Sequence, residues 1–183
     1  MKILVRWLAL AAALSTPAAL WSAPPHDEGT ILIPRLGVEG NILEGVDDDT
    51  LRIAVGHIPG TALPGAAGNV ALAAHRYGYF KGLSRVRKGD RITVRTPGGT
   101  FCYAVDHIEI VEITDVSVLA PTTTPTLTLV TCYPFDYIGP APQRLIVRAH
   151  RLEGDAVQSD AASTPVIPGG KAVDTSAPAE PAG

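Results

Sequence analysis

Short apolar runs broken by glycine, proline and aspartate recur from about residue 30 to residue 151. Residues 30–34 predict a first strand closed by Pro34, and residues 40–44 a second. Asp47, Asp48 and Asp49 ahead of Leu51, Ile53 and Ala54 predict a helix N-terminus, because carboxylates there satisfy free N–H groups and oppose the helix dipole. Gly56 and Pro59 keep that helix short, and the turn formers of residues 56–68 predict an ordered loop. A third apolar run over residues 69–74 ends on His75, followed by a loop or single helical turn built on Tyr77, Tyr79, Phe80 and Leu83. Residues 91–95 alternate cleanly, and Pro97-Gly98-Gly99 is the hairpin to the next strand.

That next run changes phase. Phe101, Tyr103 and Val105 share one parity while Ile108 and Ile110 share the other, so a bulge near Asp106 and His107 would keep both sets inward. Val116 and Val118 precede a connector over residues 121–125, and two further runs follow, Leu127-Thr128-Leu129-Val130-Thr131 and Leu145-Ile146-Val147. Short alternating strands with one brief helix predict an all-β chain, a closed or nearly closed barrel. Periodicity alone does not separate a barrel from a sandwich.

Both ends differ from this middle. Lys2 and Arg6 precede an apolar run from Trp7 to Ala23, which is an export segment over residues 1–24, either a signal anchor or a signal peptide. The lack of a small-x-small cleavage site before Pro24 favours the anchor, and the leading positive charges would then leave the rest of the chain outside the cytoplasm. Residues 153–183 are rich in Ala, Pro, Ser and Gly and predict a disordered tail. The domain proper is residues 25–152. A net charge of -3 offers no basic surface for nucleic acid.

Three runs deliver chemistry-bearing side chains. Residues 127–131 end on Cys132; after an intervening loop, Arg144 opens the next strand; and the run over 69–74 hands over to His75. A strand-terminal thiol is accessible in a way that a mid-strand thiol is not. Cys102, inside a strand, is expected to be a small buried hydrophobe, unpaired. Arg148 lies on the same side as Arg144 but further from the strand start, and His57 sits in a stretch that turn structure accounts for. Neither His107 nor His150 has companions at metal-ligand spacing, and Asp47–Asp49 lacks the glycine and distal glutamate of a calcium loop, so no metal or other cofactor is expected.

The segments Leu129-Val130-Thr131-Cys132-Tyr133-Pro134, Ala74-His75-Arg76 and Gly56-His57-Ile58-Pro59-Gly60-Thr61 resemble those of the sortases, and the Cys-Tyr-Pro-Phe and proline-rich loop look most like class D. The resemblance runs from about Ile31 to Arg151; Ala74 stands where the family usually has glycine. It implies an eight-stranded sortase barrel with short helices in its connections. It further implies a cysteine transpeptidase that cleaves a sorting motif of the LPxTG or LPxTA type through a thioacyl-enzyme. In that role Cys132 is the nucleophile, His75 the proton donor and acceptor, and Arg144 the stabiliser of oxyanion and substrate. The implied partners are a surface protein bearing a sorting signal, an amine acceptor of the cell envelope, and the membrane through the N-terminal segment. Thr131 and Tyr133, flanking the thiol, are candidate substrate contacts, and Leu72, Val130 and Ile146 candidate groove linings. The alternatives are a cysteine endopeptidase with water as acceptor, and a catalytically silent barrel that only binds peptides.

Overall fold

The structure, a computed structural model, describes residues 27–153. The export segment and the Ala/Pro-rich tail both lie outside the described residues. Eight strands are formed: β1 (Asp27–Ile33), β2 (Val38–Glu44), β3 (Val55–His57), β4 (Asn69–Ala73), β5 (Arg91–Thr96), β6 (Gly99–Glu112), β7 (Thr126–Tyr133) and β8 (Gln143–Arg151), with one α-helix, α1 (Asp48–Ile53). They close into a barrel in the order β1-β2-β3-β4-β7-β8-β6-β5. Among the neighbouring pairs β2–β3 and β4–β7 are parallel and the others antiparallel.

Closure follows from alternation. Ile31, Ile33, Leu72, Ile92, Val94, Tyr103, Leu127, Leu129 and Val147 are all at most 1% exposed and meet in one core. Burying each such side chain stabilises the fold by roughly 1.5–3 kcal/mol before chain entropy is set against it. The phase change in β6 is resolved by a bulge: the register with β8 slips between Val105 and His107. Ile108 then still packs on the core, but Ile110 does not, standing 45% exposed near the end of the strand.

Local devices set the connections. Asp47 caps α1, accepting from the backbone N–H of Asp49 and Thr50 at 3.1 and 3.0 Å and from the Thr50 hydroxyl at 2.8 Å, and these bonds hold its carboxyl below the usual carboxylate range. The Arg35 guanidinium grips both oxygens of Asp90 and also donates to the Arg85 carbonyl at 2.8 Å, tying the β1–β2 turn to the approach to β5. Buried among these donors, Asp90 is likewise held low, chiefly by Arg35.

Residues 56–68, expected to be loop throughout, begin with the short strand β3. Gly56 lies where an added Cβ would stand 2.2 Å from the Gly45 carbonyl oxygen, so only glycine lets β3 pass the end of β2. Cys102 is unpaired, as expected, but half-exposed, because its parity in β6 is opposite to that of the buried Tyr103.

Candidate active site

The parallel pairing of β4 with β7 decides where the site lies. Ala73 is aligned with Val130, so two residues further along each strand the chain reaches His75 and Cys132 at one rim. The alignment continues past the strand: the N–H of Ala74 donates to the Val130 carbonyl at 3.3 Å, and the Thr131 hydroxyl donates to the Ala74 carbonyl at 2.7 Å. In the antiparallel β7–β8 pair, Cys132 stands directly opposite Arg144. Directly opposed residues share a face of the sheet, with Cβ atoms about 4.5–5.5 Å apart.

That face is the outside of the barrel. Leu127 and Leu129 of β7 and Leu145, Val147 and Ala149 of β8 point into the core, so the alternate residues, Thr128, Val130 and Cys132 with Arg144, Ile146 and Arg148, point the other way. On β4 the same face carries Asn69, Ala71 and Ala73. The long β6–β7 connection folds over the lower half. Asn69 donates from its amide to the carbonyls of Val118 and Ala120 at 3.0 and 3.1 Å, and Arg148 donates to the Val118 carbonyl at 3.2 Å. Thr128 completes this anchor by donating to the Asn69 side-chain carbonyl at 2.7 Å. The upper half stays open: Ala73, Val130, Cys132 and Arg144 are all half-exposed.

Among the expected site residues, Cys132, His75 and Arg144 are therefore brought to one rim. Thr131 and Tyr133 take the opposite side of the strand. As immediate neighbours of the thiol they point inward, Thr131 with its hydroxyl on the Ala74 carbonyl and only 2% exposed, Tyr133 against the core and edge-on to Phe135 at 6.4 Å. Of the groove candidates, Leu72 belongs to the core; Val130 and Ile146 lie on the cysteine face, but only Val130 is half-exposed, Ile146 being covered to 1% exposure. Arg148 is the anchor of the β6–β7 connection.

Arg144 donates through Nη1 to the carbonyls of Ala141 and Gln143 at 3.2 and 2.9 Å. Its Nε and Nη2 make no hydrogen bond among the described residues, which leaves donors for a ligand. The His75 imidazole makes no hydrogen bond among the described residues; it is stacked on Tyr77, with ring centroids 5.0 Å apart and planes 11° from parallel.

Two residues carry roles that the sequence did not disclose. Arg76, only 9% exposed, donates through Nη2 to the carbonyls of Tyr137 and Gly139 at 2.7 and 3.2 Å, fixing the β7–β8 loop beside His75. Its burial is tolerated because a guanidinium is buried only when its donors are met, here by two loop carbonyls. His57 is 1% exposed, its Nε2 donating to the Ala62 carbonyl at 2.9 Å and its Nδ1 meeting the Glu44 carboxylate. The Thr61 hydroxyl lies 3.1 Å from Nε2 and donates to the Ile58 carbonyl at 2.7 Å. No group of three or more His, Cys, Asp or Glu among the described residues is arranged to hold a metal ion.

A closed eight-stranded barrel with a cysteine, an arginine and a histidine gathered at one outer rim agrees with what relatives show. The sortase-domain family profile matches residues 31–152, and the chain belongs to the sortase family. It is 34% identical over 125 residues to Sortase D of Bacillus subtilis (strain 168), an alignment that takes in 68% of this chain and 63% of that protein. Among solved structures it is similar to a Clostridium perfringens Sortase D5 transpeptidase, with TM-score 0.63 and 30% identity over 69% of this chain and 79% of the other. Sortase A from Corynebacterium diphtheriae superposes with TM-score 0.66 and 33% identity, over 73% and 64% of the two chains. The chain thus spans a little under two thirds of the Bacillus subtilis protein's length.

Proposed function

We propose that this protein is a sortase-type cysteine transpeptidase. The observation that carries the reading is the direct cross-strand pairing of Cys132 with Arg144 at the end of a strand aligned in parallel with the one that leads to His75. An extended peptide of the LPxTG or LPxTA type lies along the open upper half of the outer face, over Ala73 and Val130. The Cys132 sulfur attacks the carbonyl carbon after the motif threonine, and a C–S bond forms as the carbonyl oxygen takes the negative charge. The unengaged Arg144 donors meet that oxyanion, a role suited to a cation that cannot lose its proton. As the C–N bond breaks, His75 gives its proton to the departing amine. A second amine then attacks the thioester, returns a proton to His75, and leaves joined to the motif threonine as the C–S bond breaks and the sulfur departs as the thiolate that began the cycle. The carrier of that amine is proposed to be a cell-envelope acceptor, the donor a surface protein, and residues 1–24 the segment that holds the enzyme at the extracytoplasmic face of the membrane.

The test uses an internally quenched LPETA peptide with and without glycinamide. Expected are a ligated product with the amine, an acyl adduct on Cys132 by mass spectrometry, and neither from the Cys132→Ala protein. Cleavage with no ligated product at high amine would instead make the protein an endopeptidase. Binding without any adduct would make it a silent peptide-binding barrel.

A further inference from the structure

We infer that Tyr77 is a positioning residue for His75, restraining the imidazole at the rim it shares with Cys132; the inference rests on the reading of the site given under Proposed function. The backbone around the histidine is firmly fixed. The His75 carbonyl accepts from the N–H of Gly78 at 3.0 Å and of Phe80 at 3.3 Å, Phe80 is fully buried, and the Tyr79 hydroxyl donates to the Ile53 carbonyl at 2.6 Å. On the other side, Thr131 secures the Ala74 carbonyl.

The imidazole itself is not fixed in this way. A general acid and base is usually oriented by a carboxylate or carbonyl on its second ring nitrogen. Among the described residues neither nitrogen of His75 has such a partner; its one ring contact is the stack on Tyr77. Beside the stack lies an open depression of ≈ 500 Å³, lined by Asp48, Leu51, Arg52, His75, Tyr77, Gly78 and Tyr79. Rotation about the His75 side-chain bonds into this space meets no packed wall, so several rotamers are open to an unrestrained ring.

The turn explains why Tyr77 can serve. The Gly78 to His75 hydrogen bond folds the chain back so that residues 75 and 77 lie on one side, and the ring of Tyr77, a residue 72% exposed, lies flat against the imidazole. A large aromatic side chain left so exposed contributes little to the core. Offset stacking of two rings biases a rotamer equilibrium by roughly twofold to tenfold, and a positively charged imidazole strengthens the contact through the phenol's π-face. The ring plane, not the hydroxyl, is what the geometry uses.

The experiment compares the full-length chain with its Tyr77→Leu and Tyr77→Phe variants. Steady-state cleavage of the LPETA peptide should show kcat about threefold to tenfold lower in Tyr77→Leu, with KM within about twofold, and Tyr77→Phe close to the parent. Proton NMR on the Cys132→Ala background should show the His75 ring protons upfield in the parent and in Tyr77→Phe, and shifted downfield in Tyr77→Leu as the ring current is lost. A role confined to surface packing would leave kcat unmoved, whatever the ring-current shift. An active parent with an equally active Tyr77→Leu variant, or His75 resonances indifferent to the substitution, overturns this inference alone. A parent inert toward the peptide, with or without glycinamide, overturns the transpeptidase reading and this inference with it.

Discussion

Two histidines on neighbouring stretches of the same sheet have opposite surroundings. His57 ends β3, is 1% exposed, and has both ring nitrogens engaged, one on the Ala62 carbonyl and one on the Glu44 carboxylate. His75 lies two residues past β4, the strand antiparallel to β3, is half-exposed, and has neither nitrogen engaged among the described residues. Each follows a small residue and each begins or ends a turn-rich segment, so the one-dimensional setting is much the same. The difference lies in hydrogen-bond accounting. A ring whose nitrogens are both consumed by the fold contributes to its stability and has no site left for a moving proton. One with free nitrogens at a rim can transfer a proton, and it needs some other restraint to keep its orientation.

The strongest way to break this contrast is to remove each imidazole in turn. His75→Ala, like Cys132→Ala, should lower turnover of the LPETA peptide on the order of 10³-fold or more while the urea midpoint stays within error of the parent. Near-normal turnover would take His75 out of the mechanism. A smaller loss sharpens the same picture on the facing strand: Arg144→Lys keeps the charge but loses the fixed fork of donors, and kcat should fall about 10²-fold. Retained activity would show that charge alone suffices there.

His57→Ala should have the reverse profile. Removing the ring strands the Ala62 carbonyl and leaves a cavity, so stability should fall by roughly 2–4 kcal/mol in urea unfolding, while kcat per folded molecule stays within a few-fold. If His57→Ala remained fully stable yet lost catalysis, the assignment of the two histidines would be reversed. The smallest effect tests whether the fold carries a pH dependence of its own, apart from either imidazole. The folded-state carboxyl of Asp90 is held below its unfolded value by Arg35, so its stabilising contribution is present above an unfolded pKa of about 3.9 and is lost as pH falls through the lower folded value. The urea midpoint should therefore decline on acidification below about pH 4, and Asp90→Asn should flatten that decline while lowering the plateau above it. An unchanged slope would show that other carboxylates dominate.

Much of the fold was legible because strands with one face in a core must alternate. The parity conflict between Val105 and Ile108 predicted the β6 bulge, and it is found between Val105 and His107. Asp47 was recognisable as a helix cap from its chemistry alone. Other features were hidden for equally physical reasons. β3 is short and lies among turn formers, so no periodicity can develop over its three residues. Cys102 looked buried because its neighbours are apolar, but in a strand the neighbours of a core residue face away from the core. By the same rule Thr131 and Tyr133, beside Cys132, turn to the opposite side of the strand from the thiol.

By itself, the sequence determined which residues can do the chemistry and that strands would present them, since both follow from side-chain type and from short-range alternation. Only the tertiary structure decided that β4 runs parallel to β7, which brings residues 75 and 132 to one rim, and that the shared face is the outer one. It also gave the passed-over residues their work, Arg148 on the Val118 carbonyl and His57 between Ala62 and Glu44. Those distinctions depend on partners tens of residues away, and a hydrogen bond made across such a distance leaves no mark on the local pattern.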